Sequence, residues 1–269
     1  MPKITMRDGK KIYYEIYGDE QKPVLIILNG IMMSTLSWKD FIDKFTKFFR
    51  LVLVDFRDQG QSDYMEEQYD IKIHSNDLNE LVEKLELSRV NILGLSYGGQ
   101  VAEIFAIHHP EKVQSLVLAN TVGRINSYLS ELGEAWKEAA DTKDGEKFFK
   151  LAIPFIYSDH FYNNNLDWLK KRQKTFKKLL TERWFEGFKR LASSNPDFDV
   201  INEVHKINAP TLLLASDKDI ITPLEEVDEL HKRIPENEYI IIKNAGHASV
   251  LEKPEEFITA VTGFVLKYN

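Results

Sequence analysis

The sequence predicts an α/β fold: a mostly parallel sheet of eight strands, flanked by helices and interrupted once by a helical insertion. Three observations carry that expectation. Short runs that are apolar throughout recur along the chain, as strands covered on both faces require. Helical patterns separate these runs, which is the rhythm of βα units. Between the sixth and seventh runs stand about ninety residues, far more than the dozen or so that a crossover needs.

Residues 4–6 and 12–16 flank "RDGKK", and Asp8-Gly9 is a hairpin signal, so an antiparallel pair opens the chain. The other six strands are "VLIILNG" (24–30), "LVLVDF" (51–56), "VNILGL" (90–95), "SLVLAN" (115–120), "TLLLAS" (211–216) and "YIIIKNA" (239–245). The long interval after the sixth strand reads as helices over 128–141, 145–153, 166–180 and 181–192, with "SSNPDFD" as an exit loop. A core of residues 1–122 and 207–269 is therefore expected around a helical cap of residues 123–206. Trp136, Phe155, Trp168 and Trp184 either pack the cap's own interior or form a greasy underside. "KKRQKTFKK", residues 170–178, holds six cations in nine positions. It reads as a solvated helix face, with docking of an anionic acyl carrier or CoA tail as the alternative.

At 269 residues, with 43% hydrophobic and 29% charged residues, the chain has the length and composition of a globular enzyme with a sizeable core. A formal charge of −7 argues against nucleic acid as partner, because phosphate binding needs a basic face. Cysteine is absent, which excludes disulfides, a thiolate nucleophile and Cys-ligated metal. No signal-like segment and no run of 18 apolar residues occur, so a cytoplasmic protein without a membrane partner is expected.

"NILGLSYGGQVAEI", residues 91–104, carries the chemistry. Ser96 sits where a strand turns into a helix, within G-x-S-x-G spacing supplied by Gly94 and Gly98. On spacing alone it is either a nucleophile or a small polar residue in a glycine-rich turn, and the strand-before, helix-after context favours the nucleophile. Its hydroxyl needs a base, and the base needs a group that fixes its tautomer. "DKDIITP" offers Asp217 and Asp219 after the seventh strand, and "GHASVLEKP" puts His247 after the eighth. Both loops open on the sheet edge that carries Ser96.

With these pieces in order the chain resembles the α/β-hydrolase fold family over essentially its whole length, from the opening hairpin to a last helix at "PEEFITAVTGFVLKYN". The resemblance implies a serine hydrolase with the order Ser96, Asp219, His247. Asp219 is preferred to Asp217 because the family's acid falls three residues after a small residue and four before a proline, here Ser216 and Pro223. It also implies an oxyanion hole from the backbone N–H groups of Tyr97 and Ile31. Two positions depart from the family pattern: Asn29 stands where His precedes the glycine, and Asp58 stands where "DFRDQGQSD" would have glycine. The Asp58 charge either re-aims its loop or lies in solvent, while Asp55 and Arg57 are expected to brace loops. Met32, Val122 and Ile220 are expected to line the pocket, along with Ile31, Met33 and Ala248. No cofactor or metal is implied, and the partner is a small-molecule acyl substrate. The expected reaction is ester cleavage through an acyl-enzyme. The alternatives are a thioesterase or acyl-carrier esterase, a C–C bond hydrolase, and a small-molecule sensor that keeps the triad.

Overall fold

A computed structural model describes residues 2–269. Its eight strands are β1 (Lys3–Thr5), β2 (Lys11–Tyr17), β3 (Val24–Leu28), β4 (Arg50–Val54), β5 (Val90–Leu95), β6 (Val113–Ala119), β7 (Thr211–Ser216) and β8 (Asn237–Ile242). They form one sheet in the order β1-β2-β4-β3-β5-β6-β7-β8. β1–β2 and β2–β4 pair antiparallel, and every later pair is parallel.

The apolar runs alternate between two cores, as a period of two dictates. Ile26 and Leu28 of β3 and Leu213 of β7 face one side, where Leu78, Val101, Phe105, Val227 and Leu230 pack. Leu25, Ile27, Leu212 and Leu214 face the other, against Trp38, Phe45, Phe257 and Val261. The first layer is built by α2 (Lys72–Lys84), α3 (Tyr97–His108) and α9 (Leu224–Arg233). The second is built by α1 (Ile42–Phe45) and α11 (Pro254–Lys267), with the short α10 (Ser249–Glu252) leading into α11.

Between β6 and β7 lie five further helices: α4 (Ser127–Asp141), α5 (Gly145–Ala152), α6 (Asp159–Asn164), α7 (Leu166–Leu179) and α8 (Glu182–Ala192). The pattern reading had four of them and missed α6, a single polar "DHFYNN" stretch with no apolar period. The two ends of the insertion are tied together, since Ile125 N–H donates to the Phe198 carbonyl and Val200 N–H to that of Gly123, each at 2.8 Å. Phe148, Phe185 and Phe188 give these helices an interior of their own, and Trp184 stacks on Phe188. α5 and α7 approach so closely that a Cβ on Gly145 would lie 2.4 Å from the Phe176 carbonyl oxygen.

Strand ends account for most boundary differences. β8 stops at Ile242 rather than 245 because Asn244 turns at φ 55 with its N–H bonded to Asp217 Oδ1 at 2.7 Å. The chain order reverses direction across the sheet at β3 and β5, and there the carboxyl ends of the strands leave a crevice. That crevice faces the inserted helices.

Candidate active site

Ser96 is the residue between β5 and α3, and it holds φ 54 and ψ −118. A non-glycine residue there stores about 1–3 kcal/mol of strain and persists only where its surroundings fix it. Here they do. Ser96 N–H donates to the Ala119 carbonyl at 2.9 Å, and Thr121 Oγ1 donates to the Ser96 carbonyl at 2.8 Å. The turn leaves no room for side chains, because a Cβ on Gly98 would lie 2.3 Å from the Leu28 carbonyl oxygen and one on Gly99 2.5 Å from Thr121 Cβ.

The strain pushes the hydroxyl to His247, whose Nε2 lies 2.8 Å from Ser96 Oγ. His247 Nδ1 lies 2.8 Å from Asp219 Oδ2, and the Asp219 side chain is fully buried. Burial alone would raise that carboxyl. The His247 imidazole and the hydrogen bonds from Thr222 outweigh it, so Asp219 lies below its ordinary value and stays ionised. Its Oδ1 accepts from Ile221 N–H at 2.9 Å and Thr222 N–H at 3.0 Å, while Oδ2 accepts from Thr222 Oγ1 at 2.6 Å and Asn120 Nδ2 at 2.9 Å.

Two amides near the serine lack partners among the described residues. Neither Tyr97 N–H nor Ile31 N–H is hydrogen-bonded among the described residues, and both residues share a cavity wall with Ser96. The Ile31 loop is pinned from below: Gln59 Nε2 donates to the carbonyls of Gly30 at 3.0 Å and Ile31 at 3.3 Å. Asn29 is fully buried and completes the brace, donating to the Val54 carbonyl at 2.7 Å and accepting from Trp38 Nε1 at 2.8 Å.

Space opens on both sides of Ser96. One cavity of about 270 Å³ is apolar, with Met32, Met33, Ile156, Trp168, Phe176 and Leu251 in its walls beside His247. The other, about 190 Å³, runs past Gln100, Thr121, Ser130 and Asn195. Ile31 and Trp136 border both. The Trp136 indole N–H is buried and meets no acceptor among the described residues. No group of three or more His, Cys, Asp or Glu is arranged to hold a metal ion there or elsewhere among the described residues.

A family model described as the alpha/beta hydrolase fold matches residues 23–254. The chain belongs to the α/β-hydrolase fold family. A solved structure titled as MGS-M2, an alpha/beta hydrolase enzyme from a Medee basin deep-sea metagenome library, is 38% identical with a TM-score of 0.94, covering 98% of this chain and 97% of that one. The 3-oxoadipate enol-lactonase 1 of Acinetobacter baylyi is 26% identical over 97% of this chain and 96% of its own length. The proline iminopeptidase of Lactobacillus acidophilus is 27% identical over 93% and 92%. The protein is an α/β-fold hydrolase.

The residues expected at this hydrolase's site divide by what the loops do. Ser96, Asp219, His247, Ile31, Tyr97 and Met32 converge, with Met33 and Ala248 beside Met32. Val122 and Ile220 do not. Val122 is wholly buried and borders neither cavity, and Ile220 is 50% exposed, turned outward because the Asp219 carboxylate captures the next two amides. Ile221 takes its place in the wall of the smaller cavity. Asp58 does not lie in solvent: its side chain is fully buried, at φ 64, and paired with Arg190 of α8 at 2.7 Å. Asp55 and Arg57 brace loops as expected, Asp55 by accepting from Thr35 N–H and Gln61 N–H, Arg57 by a fork onto Asp77. His160 is exposed on α6 and borders neither cavity. Sequence reasoning passed over Gln59, Thr222 and Asn120. Of these only Thr222 carried a signal, lying three residues beyond the acid.

Among the described residues no helix is long and apolar enough to cross a membrane.

Proposed function

We propose that the protein is a serine hydrolase that cleaves a carboxylic ester or lactone through an acyl-enzyme. The observation that carries this reading is the continuous relay of two 2.8 Å contacts from Asp219 through His247 to Ser96 Oγ. In it Ser96 attacks the carbonyl carbon while His247 takes the hydroxyl proton at Nε2, and Asp219 holds the other ring nitrogen as a donor and balances the imidazolium. The oxygen that becomes negative meets the free amides of Ile31 and Tyr97, each worth about 3–4 kcal/mol in hydrolases that lose one such donor. His247 then returns the proton to the leaving oxygen, and water repeats the sequence to release the acid.

The two cavities suit a substrate with its acyl part on one side of Ser96 and its leaving group on the other. Ester and lactone bonds are proposed for this chain from its likeness to the 3-oxoadipate enol-lactonase, and the likeness to the proline iminopeptidase makes amide cleavage the alternative outcome. The test is hydrolysis of a p-nitrophenyl ester series, acetate to decanoate, by wild type and Ser96→Ala, with fluorophosphonate labelling in parallel. Turnover and labelling that vanish together in the variant support the reading, and equal turnover by both proteins sinks it.

One observation keeps an acyl carrier as a second reading: Lys170, Lys171, Lys174, Lys177 and Lys178 are all exposed on α7, the helix that also supplies Trp168 to the apolar cavity. Charge reversal at Lys170 and Lys171 should then slow carrier-bound substrates and leave small esters untouched.

A further inference from the structure

The six cations of α7 are not equivalent. The five lysines are exposed, but Arg172 is half-buried and lies in the wall of the apolar cavity that reaches Ser96 and His247. Its guanidinium carbon sits 5.2 Å from the ring centre of Trp168 and 5.7 Å from that of Phe176, two other residues of the same wall. Those rings hold the group in place by cation–π attraction. They accept none of its N–H donors in the way a carboxylate would. Among the described residues the guanidinium makes no hydrogen bond and no ion pair, whereas the partly buried Arg190 of the neighbouring α8 has Asp58. The one acid in the cavity wall, Asp40, is exposed and beyond ion-pairing distance of Arg172.

A fixed planar fork of five donors in a mostly apolar cavity, with no acid in ion-pairing reach, matches one chemical group best, a carboxylate taken bidentately. We propose that Arg172 anchors a free carboxylate on the substrate, so that the preferred substrates are esters or lactones whose apolar chain ends in an acid group. This rests on Ser96 being the nucleophile, and it deepens that reading by naming the substrate class. The apolar walls between Ser96 and Arg172 accommodate the chain, and the guanidinium sets its direction, leaving the reacting carbonyl over Ser96. A neutral ester of the same length fits the walls and forfeits only the anchor.

The experiment compares monomethyl and dimethyl esters of the straight-chain diacids from succinate to suberate. Binding is measured by calorimetry on Ser96→Ala and on Ser96→Ala/Arg172→Met, where methionine keeps the packing on Trp168 and Phe176 and loses the charge. For at least one chain length the half-ester should bind the single variant about 10- to 100-fold more tightly than the diester. Arg172→Met should erase that advantage by lowering half-ester affinity far more than diester affinity, and Arg172→Lys should restore part of it. Equal loss for half-ester and diester would mean that Arg172 only packs, and no dependence on Arg172 at any chain length would overturn the anchor outright. Turnover by the Ser96-containing proteins separates the two readings. Arg172-dependent binding without hydrolysis or fluorophosphonate labelling would leave the anchor and remove the nucleophile, whereas hydrolysis of neutral esters unaffected by Arg172→Met, with no half-ester preference, would do the reverse.

Discussion

Replacing Gln59 by leucine should damage catalysis without touching any group that meets the substrate. The Gln59 amide donates to the carbonyls of Gly30 and Ile31 at 3.0 and 3.3 Å and accepts from Asn29 Nδ2 at 3.3 Å. Both carbonyls belong to the loop whose Ile31 N–H is proposed to meet the oxyanion. Without the amide the Gly30–Ile31 peptide is held only through the Met33 N–H on the Gly30 carbonyl at 3.0 Å and the Ile31 carbonyl has no donor, so the Ile31 N–H is less firmly aimed. Full loss of one such donor costs about 10²–10³ in kcat, so partial misplacement should cost about 10- to 100-fold. Ground-state binding is carried by cavity walls that stay in place, and KM should move by no more than about threefold. The Ile31 carbonyl, left without a donor, should lower stability by about 1 kcal/mol, while the Gly30 carbonyl keeps the Met33 N–H at 3.0 Å. Gln59→Glu, the same shape with no donor and a charge beside two carbonyl oxygens, should be the worse of the two. The assay is steady-state hydrolysis of the best p-nitrophenyl ester across pH, with urea unfolding to confirm the fold. The profile should keep its shape while kcat drops, because the relay is unchanged. If both variants retain kcat within about threefold of wild type while folded, the amide network does not position Ile31.

Three further outcomes follow from the same geometry. Asp219→Asn should lower kcat by about 10³–10⁴, since the amide cannot stabilise the imidazolium, and single-turnover kinetics would show the loss in acylation; a loss under tenfold would remove Asp219 from the relay. His74, fully buried against Phe56, Tyr69 and Tyr97 near Arg57, has its pKa held down to about 3 by burial and the Arg57 charge, against 6.5 when unfolded. The unfolded chain therefore takes a proton that the folded one refuses, so this residue's contribution is intact above about pH 6.5 and erodes as pH falls towards 3, by about 1 kcal/mol per unit. His74→Phe should show a shallower loss of urea stability between pH 7 and 5.5, and parallel curves would refute it. Arg190→Met strands the fully buried Asp58 carboxylate and should cost about 3–5 kcal/mol. The double variant with Asp58→Gly should recover most of it, because glycine accepts φ 64 and leaves no buried charge; a double variant as unstable as Arg190→Met would sink that account.

What was legible in the sequence follows from how each feature is encoded. The central strands were readable because burial on both faces demands an uninterrupted apolar run, as in "VLIIL" and "TLLLAS". The residues of the relay were readable because each lies on the loop after an apolar run, Ser96 directly after β5, Asp219 three residues after β7 and His247 five residues after β8. Side-chain direction within a loop was not. Val122 and Ile220 were placed in the pocket by proximity in sequence, but Asp219 takes the amides of Ile221 and Thr222 and thereby points Ile220 outward. The departures at Asn29 and Asp58 were visible as departures, and their partners were not, because Trp38, Gln59 and Arg190 lie 9, 30 and 132 residues away. A polar residue without a local reason for burial gives no sign of whether a distant partner will bury it.

The placement of these groups separates chemistry from selectivity. Ser96, Asp219 and His247 all stand on loops leaving the carboxyl ends of β5, β7 and β8, whose hydrogen-bonded register fixes them relative to one another. The cavity walls are different, since Trp136, Ile156, Trp168, Arg172 and Phe176 belong to the inserted segment. Many polar ties hold that segment to the sheet loops, among them the Ala248 N–H on the Ile156 carbonyl at 3.1 Å, beside His247. Asp58 meets Arg190, Tyr97 Oη lies 2.6 Å from Ser194 Oγ, and Glu252 accepts from Ser158 N–H at 3.0 Å and from Gly246 N–H, the residue before His247, at 3.1 Å. Burial raises the Glu252 carboxyl, against which those hydrogen bonds work. Glu252 therefore links the position of the histidine loop to that of the inserted helices. Substitutions within the walls can re-select the substrate while the relay stays intact, but one at Glu252 must alter both at once, because a single carboxylate oxygen, Oε1, holds the two amides.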